Sequence, residues 1–247
     1  MPERLLASDP RVEDIEAREL ERQKTLVLNL QIWSQNMRSW NTNSMALLTD
    51  ANDAHIDVLL LQETNINPIS IAAMMNKAHR YGWQAVHVPP TSKARGGVAV
   101  LVRPPLAIVE LQRFESEQGK FLLVECHGLQ EAILLGSLYR HSSDAQFHVP
   151  QTLCHILATR GGAQWVVGMD ANDDMVNGAV AGQLQHIGGI CHGFACHNTS
   201  TVPIDATWSS VNTSGLHFEI DGPGDHSIAQ TNLHLCRKQR ARSQLRF

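Results

Sequence analysis

The chain has 247 residues, 43% of them hydrophobic and 18% charged, with a formal charge of −4 and a pI near 6.3. That is enough apolar material for a sizeable core and excludes a disordered chain, while the acidic balance excludes a whole-protein basic field, so any nucleic-acid binding has to be local. Apolar runs are too short for a bilayer span, residues 1–25 lack the apolar stretch of a secretory signal, and the 5 cysteines have no framework spacing, so an intracellular location, cytoplasmic or nuclear, is expected.

No linker divides the chain, and the expectation is one domain over residues 25–236, preceded by a charged helical extension over 1–24 and followed by a basic tail over 237–247. Asp9 before Pro10 reads as a helix N-cap within that extension. Periodicity then predicts a strand over 26–33, a helix over 44–54, a buried strand over 57–61 and a helix over 69–80. Strands follow over 84–88, 97–102, 107–111, 121–126 and 132–138, separated by short turns that imply antiparallel pairing. A helix over 144–158, a strand over 164–167, a helix over 179–186 and strands over 216–220 and 227–235 complete the pattern. The fold class expected is α/β (α+β), a four-layered α/β sandwich with two packed mixed sheets flanked by helices.

Core strands need no polar side chains at their tips, so acids and amides just past apolar runs mark where chemistry sits. Asn36 follows the first strand, and Glu63 closes Leu59-Leu60-Leu61-Gln62. Tyr139, with Arg140 and His141, follows Leu134-Leu135-Gly136-Ser137-Leu138. Asp170 and Asn172 stand in Gly168-Met169-Asp170-Ala171-Asn172, and Asp225-His226-Ser227 comes late in the chain, with Asp221 shortly before it.

Taken in order, Asn36, Leu61-Gln62-Glu63-Thr64, Gly96-Gly97, Tyr139, Gly168-Met169-Asp170-Ala171-Asn172, Thr207-Trp208 and Asp225-His226-Ser227 resemble the endonuclease/exonuclease/phosphatase superfamily, from about residue 26 to 235. Its metal-dependent members include DNase I, exonuclease III-like abasic-site endonucleases, retrotransposon endonuclease domains and phosphoinositide phosphatases. The resemblance implies that Glu63, Asn36 and Asp225 serve a metal, Mg²⁺ with Mn²⁺ as the alternative. It implies that Asp170 handles the attacking water, that Asn172 supports phosphoryl oxygens, and that Tyr139 and His226 lie by the scissile phosphate. Independently of the resemblance, Mg²⁺ takes few protein carboxylates and keeps several waters, so Glu63 with one more acid is adequate. Phosphodiester hydrolysis needs a base for water and groups that neutralise growing charge, which Asp170, Asn172 and a protonated His226 can provide.

The pattern departs from the family at Ile220-Asp221-Gly222-Pro223-Gly224-Asp225-His226, where a loop and strand are compressed. Either Asp221 partners His226 from an altered position, raising the imidazole pKa, or that partner is missing. The expected function is a DNA endonuclease of retroelement or abasic-site type. The alternatives are a phosphatase or phosphodiesterase on a small phosphorylated molecule or lipid headgroup, and a degenerate member that only binds. Aromatic residues make up 5% of the chain, too few for a broad base-stacking platform, which leaves Trp40 and Trp208 as candidate substrate contacts. Cys191-His192 and Cys196-His197 carry zinc-type ligands without a zinc template's spacing, and a thiol-containing loop is the simpler reading.

Overall fold

The apolar runs that read as strands are buried on both faces. Residues 58–62 and 98–102 are buried throughout, which places them centrally in a sheet covered on each side. The computed structural model describes residues 29–90, 96–129, 131–195, 202–210, 217–220, 222 and 226–234; the expected N-terminal helix and basic tail lie outside them.

The described elements begin with β1 (Asn29–Asn36), α1 (Trp40–Asp53), β2 (Val58–Gln62), a 3-10 turn (Pro68–Ser70), α2 (Ile71–Arg80), β3 (Gln84–Val88) and β4 (Val98–Val102). They continue with β5 (Ala107–Ser116), β6 (Gly119–His127), β7 (Ile133–Arg140), α3 (His148–Thr159), β8 (Trp165–Asp170), α4 (Ala179–His186), β9 (Ile190–Ala195), β10 (Asp205–Ser209), β11 (His217–Ile220) and β12 (Ile228–His234). One six-stranded sheet runs β11-β12-β1-β2-β4-β3 and the other, also six-stranded, runs β5-β6-β7-β8-β10-β9. Both are mixed, since β1–β2 and β7–β8 are parallel and their other pairs antiparallel. Strand alternation sorts the core into layers: Leu30, Ile32, Val58 and Leu60 meet Leu122, Val124, Leu135 and Val166 between the sheets. Trp33, Leu59 and Leu61 face α1 and α2 through Leu47, Leu48, Met74 and Ala78, while Phe121, Leu123 and Val167 face α3 and α4 through Leu153, Leu157, Val180 and Leu184. The expected four layers are present.

Several expected boundaries move. The helix expected from 144 begins at His148, because the Asp144 carboxylate stands outside it and accepts from the backbone N–H groups of His148 and Val149 at 3.1 and 3.2 Å. The helix expected over 69–80 is a 3-10 turn opened by Pro68, followed by α2 from Ile71. Two strands, β9 and β10, were not expected at all. Trp40 and Trp208 are 2% and 1% exposed, so both are core residues and neither offers a face to substrate.

The sheets approach closely at Gly168. A methyl group there would lie 2.3 Å from Ser34 Oγ and 2.8 Å from Leu60 Cβ, so only glycine lets β8 lie this near β1. Side chains on a strand alternate, and two residues further along each strand the same faces carry Asp170 and Asn36.

Candidate active site

The ends of β1, β2, β7 and β8 share one edge of the sandwich. Asn36 is paired with Gln62 in the parallel β1–β2 ladder, which puts Glu63 next in line, and Tyr139 is paired with Asp170 in the parallel β7–β8 ladder. Because the two sheets touch at Gly168, the Asn36 side chain reaches across and its Nδ2 donates to Asp170 Oδ2 at 2.7 Å. Asn36 Oδ1 accepts from the Arg38 N–H at 2.9 Å, and the Asn172 N–H donates to Asp170 Oδ1 at 3.2 Å.

Asp170 is 2% exposed. Burial pushes its pKa well above the usual carboxylate range, and the nearby charges of Asp205 and Glu63 add to the rise; His226 and the Asn172 N–H oppose it. A carboxylate so placed is a stronger base than one in water.

Asp221, like Asp225, lies outside the described residues, and the partner the structure gives His226 is Asp205. The His226 Nδ1 is 2.7 Å from Asp205 Oδ2, and both residues are buried. Asp205 is not among the acids that follow apolar runs, because it starts a strand instead of ending one. β10 runs antiparallel to β8, and its first residue, Asp205, is paired with the last residue of β8, Asp170. The start of an antiparallel neighbour lies at the same sheet edge as the end of its partner; Asp205 is also the sole acid between Asp174 and Glu219, a signal that could have found it.

Glu63 is half-buried at the end of β2 with φ of 45°. The turn it begins is tied down on every side: Met37 N–H donates to Gln62 O at 2.8 Å, Trp40 N–H to Thr64 O at 2.8 Å, Thr64 N–H to Gly97 O at 3.2 Å and Asn65 N–H to Gly96 O at 3.0 Å. Asn65 Nδ2 also donates to Arg38 O. The Gly96-Gly97 pair therefore serves as acceptor for the Glu63 turn. Thr64 Oγ1 lies 2.7 Å from His87 Nε2, and burial, aided by the Arg113 charge, pushes the His87 pKa down to about 4.

Tyr139 is 4% exposed, and a methyl group at Gly96 would lie 3.3 Å from its ring. Arg140 clamps the turn after β8. Its Nη1 donates to Ala171 O at 2.8 Å and Asn172 O at 3.0 Å, and its Nη2 to Asp144 O at 2.6 Å. Asn172 Nδ2 returns a bond to Arg140 O at 2.7 Å, so part of the amide expected to face phosphate is spent on holding this turn. The structure thus brings together Asn36, Glu63, Tyr139, Asp170, Asn172 and His226, and adds Asp205 and Arg140.

Among the described residues, no three His, Cys, Asp or Glu side chains form a ready metal cage. A hard cation such as Mg²⁺ does not need one, and the donor set fits it. Oxygen donors Glu63 and Asn36 stand at adjacent strand ends, and the repulsion that Asp205 and Glu63 exert on Asp170 is what a cation would relieve. Zinc finds no support here: Cys191 and His192 lie on β9, His192 Nε2 is 2.6 Å from Ser209 Oγ, and Cys196-His197 lies outside the described residues. Burial pushes the Cys154 and Cys191 thiols up to about 11, so neither is a nucleophile at neutral pH.

Comparison with known proteins agrees with the geometry. Residues 39–174 match the Endonuclease/Exonuclease/phosphatase family. No curated protein sequence matches the chain. Among solved structures, the endonuclease domain of TRAS1, a telomere-specific non-LTR retrotransposon, is 14% identical with a TM-score of 0.66, covering 84% of this chain and 99% of that one. The human Nocturnin catalytic domain is 13% identical with a TM-score of 0.64, covering 83% and 92%. A mannosyl-6-phosphatase of Bacteroides thetaiotaomicron is 11% identical with a TM-score of 0.61, covering 82% and 98%. At these identities the likeness is one of fold.

Proposed function

This chain belongs to the Endonuclease/Exonuclease/phosphatase family, and on that premise we propose that it is a divalent-metal-dependent phosphodiesterase that cuts DNA, an endonuclease of retroelement or abasic-site type. Phosphoester hydrolysis is the chemistry of the family. The observation that carries the reading is the buried Asp170 carboxylate, held by Asn36 and Asn172 beside the Asp205–His226 pair. The DNA preference is supported by the ordered motifs from Asn36 to Gly97 and by a fold that covers nearly all of a retrotransposon endonuclease domain.

Asp170 takes a proton from the attacking water, a step its raised pKa favours. The new O–P bond forms as the bond to the leaving oxygen breaks, and that oxygen is protonated from solvent. Asp205 holds Nδ1 of His226 at 2.7 Å, which fixes the imidazole so that Nε2, in the protonated ring, faces the phosphoryl oxygens. Asn36 orients Asp170; Asn172 keeps its turn and offers its remaining N–H; Tyr139 borders the phosphate. Glu63 and Asn36, with Asp225, would hold Mg²⁺ or Mn²⁺, which when bound neutralises phosphoryl charge and lowers the pKa of a coordinated water.

The test is nicking of supercoiled plasmid with Mg²⁺, Mn²⁺ or EDTA, with Glu63→Ala and Asp170→Ala alongside. Metal-dependent nicking that both variants lose is expected, with a steep fall in rate as salt rises. An inactive parent with either metal overturns the DNA reading. Turnover of small phosphoesters, little changed by salt, would then place the chain with the family's phosphatases.

A further inference from the structure

The Glu63 turn is strained and is held from below. Glu63 and Asn65 have φ of 45° and 50°, a left-handed conformation that asparagine tolerates but that glutamate keeps only where the surroundings fix it. Thr64, between them, is that fixed point. Its N–H and carbonyl are both engaged, by Gly97 O and by the Trp40 N–H, and its hydroxyl is the group that meets His87 Nε2 at 2.7 Å. Gly97 leaves no room for drift, since a methyl group on it would lie 2.6 Å from Thr64 Oγ1.

His87 itself is an expensive choice for that position. It is 5% exposed, and its Nδ1 is buried with no hydrogen-bond partner among the described residues. An unpaired buried polar atom costs stability that an apolar side chain of similar size would not. Its one identified bond is to the residue next to Glu63.

We infer that His87 and Thr64 are positioning residues for the Glu63 carboxylate, the imidazole being retained at the expense of fold stability because its bond to Thr64 sets where Glu63 points. The inference rests on the reading of Glu63 as a metal ligand. Partners behind a metal ligand typically change metal affinity by roughly ten- to a hundredfold when removed.

The experiment is Mn²⁺ binding by the full chain, followed by electron paramagnetic resonance, for the parent, Glu63→Ala, Thr64→Val, His87→Leu and His87→Gln, with thermal melting of each in EDTA. The parent is expected to bind, Glu63→Ala to fail, and Thr64→Val and His87→Leu to bind roughly tenfold more weakly. His87→Gln, which can still bond the Thr64 hydroxyl, should recover part of the loss. His87→Leu should melt no lower than the parent, so that stability and metal affinity part company. Parent-like affinity in Thr64→Val and His87→Leu, with Glu63→Ala inactive in binding, overturns the inference and leaves the metal reading standing. Parent-like affinity in Glu63→Ala overturns the metal reading and the inference with it. A His87→Leu chain that melts several degrees below the parent, or does not fold, overturns the claim that the imidazole costs stability, and Thr64→Val then decides whether the turn positions Glu63.

Discussion

The end of β8 and the end of β2 both present a carboxylate, in opposite surroundings. Asp170 is 2% exposed, crowded by Asp205 and Glu63, and its proton affinity is driven up by burial. Glu63 is half-buried on a left-handed turn whose backbone is bonded to β1, α1 and the Gly96-Gly97 segment. One acid is tuned by its environment and the other is aimed by its backbone. The two arrangements suit two tasks, taking a proton and offering oxygen to a cation, which adjacent equivalent carboxylates could not divide.

The sharpest way to break that division is to compare the two acids at rising metal concentration. Asp170→Asn should lower kcat on the order of 10³-fold, within the range of lost general-base catalysis, and added Mn²⁺ should not restore it. Glu63→Gln should lose activity that Mn²⁺ partly restores. Equal rescue of both would end the assignment of separate roles. Next in size is Asp205→Asn, which leaves His226 in place but removes its charged partner; a loss of kcat on the order of 10²-fold is expected, read from plasmid nicking at saturating metal. If Asp221→Asn costs as much as Asp205→Asn, the pairing seen at 2.7 Å is not the one that works.

How much of this was legible in the sequence follows from the same contrast. Glu63 and Asp170 each close a nearly unbroken apolar run, and the pattern that marks a strand covered on both faces also marks its tip. Asn36 follows the same logic, and the four layers follow from the alternation of these strands with helices. Asp205 did not show because antiparallel pairing, which no local pattern reveals, brings a strand's start to the edge where its neighbour ends. β9 hid for a different reason: it is an edge strand, only two of its residues are buried, and an edge strand carries little hydrophobic signal. β5 ran past its expected end at Leu111 because a register shift between Glu110 and Gln112 breaks the alternation. Arg140 read as a residue beside a site and proves to be a buried clamp, since nothing local indicates that a guanidinium will meet backbone carbonyls of residues 171 and 172.

The Glu63 side of the comparison also predicts a pH dependence of stability. The His87 pKa is lowered to about 4 by burial first and the Arg113 charge second, against an ordinary value of about 6.5 in the unfolded chain. Above the ordinary value the imidazole is neutral in both states and protonation takes nothing from the fold. As pH falls from there towards about 4 the unfolded chain takes up the proton first, and stability on the order of 3 kcal/mol is lost across that window. Urea melts of the parent and His87→Leu at pH 7.5 and at pH 4.5, chosen as points about either side of the ordinary value, check the sign. The parent should lose more stability than the variant on acidification, and a variant that loses as much would free His87 from any part in it.

The smallest effect bears on what lets the two ends meet at all. Gly168→Ala puts a methyl group 2.3 Å from Ser34 Oγ and 2.8 Å from Leu60 Cβ, so β8 and β1 have to separate. Overpacking of this kind costs on the order of 1–3 kcal/mol, roughly 2–4 °C of melting temperature per kcal/mol in a chain of this size. The separation acts two residues from the 2.7 Å bond between Asn36 and Asp170, so kcat should fall even at temperatures where the variant is fully folded. Adding Ser34→Gly removes the nearer clash but not the Leu60 contact, and should return part of both losses. A Gly168→Ala chain that melts lower yet cuts at the parental rate would mean that Asp170 is placed by its own turn, through Arg140 and Asn172, and not by the approach of the sheets.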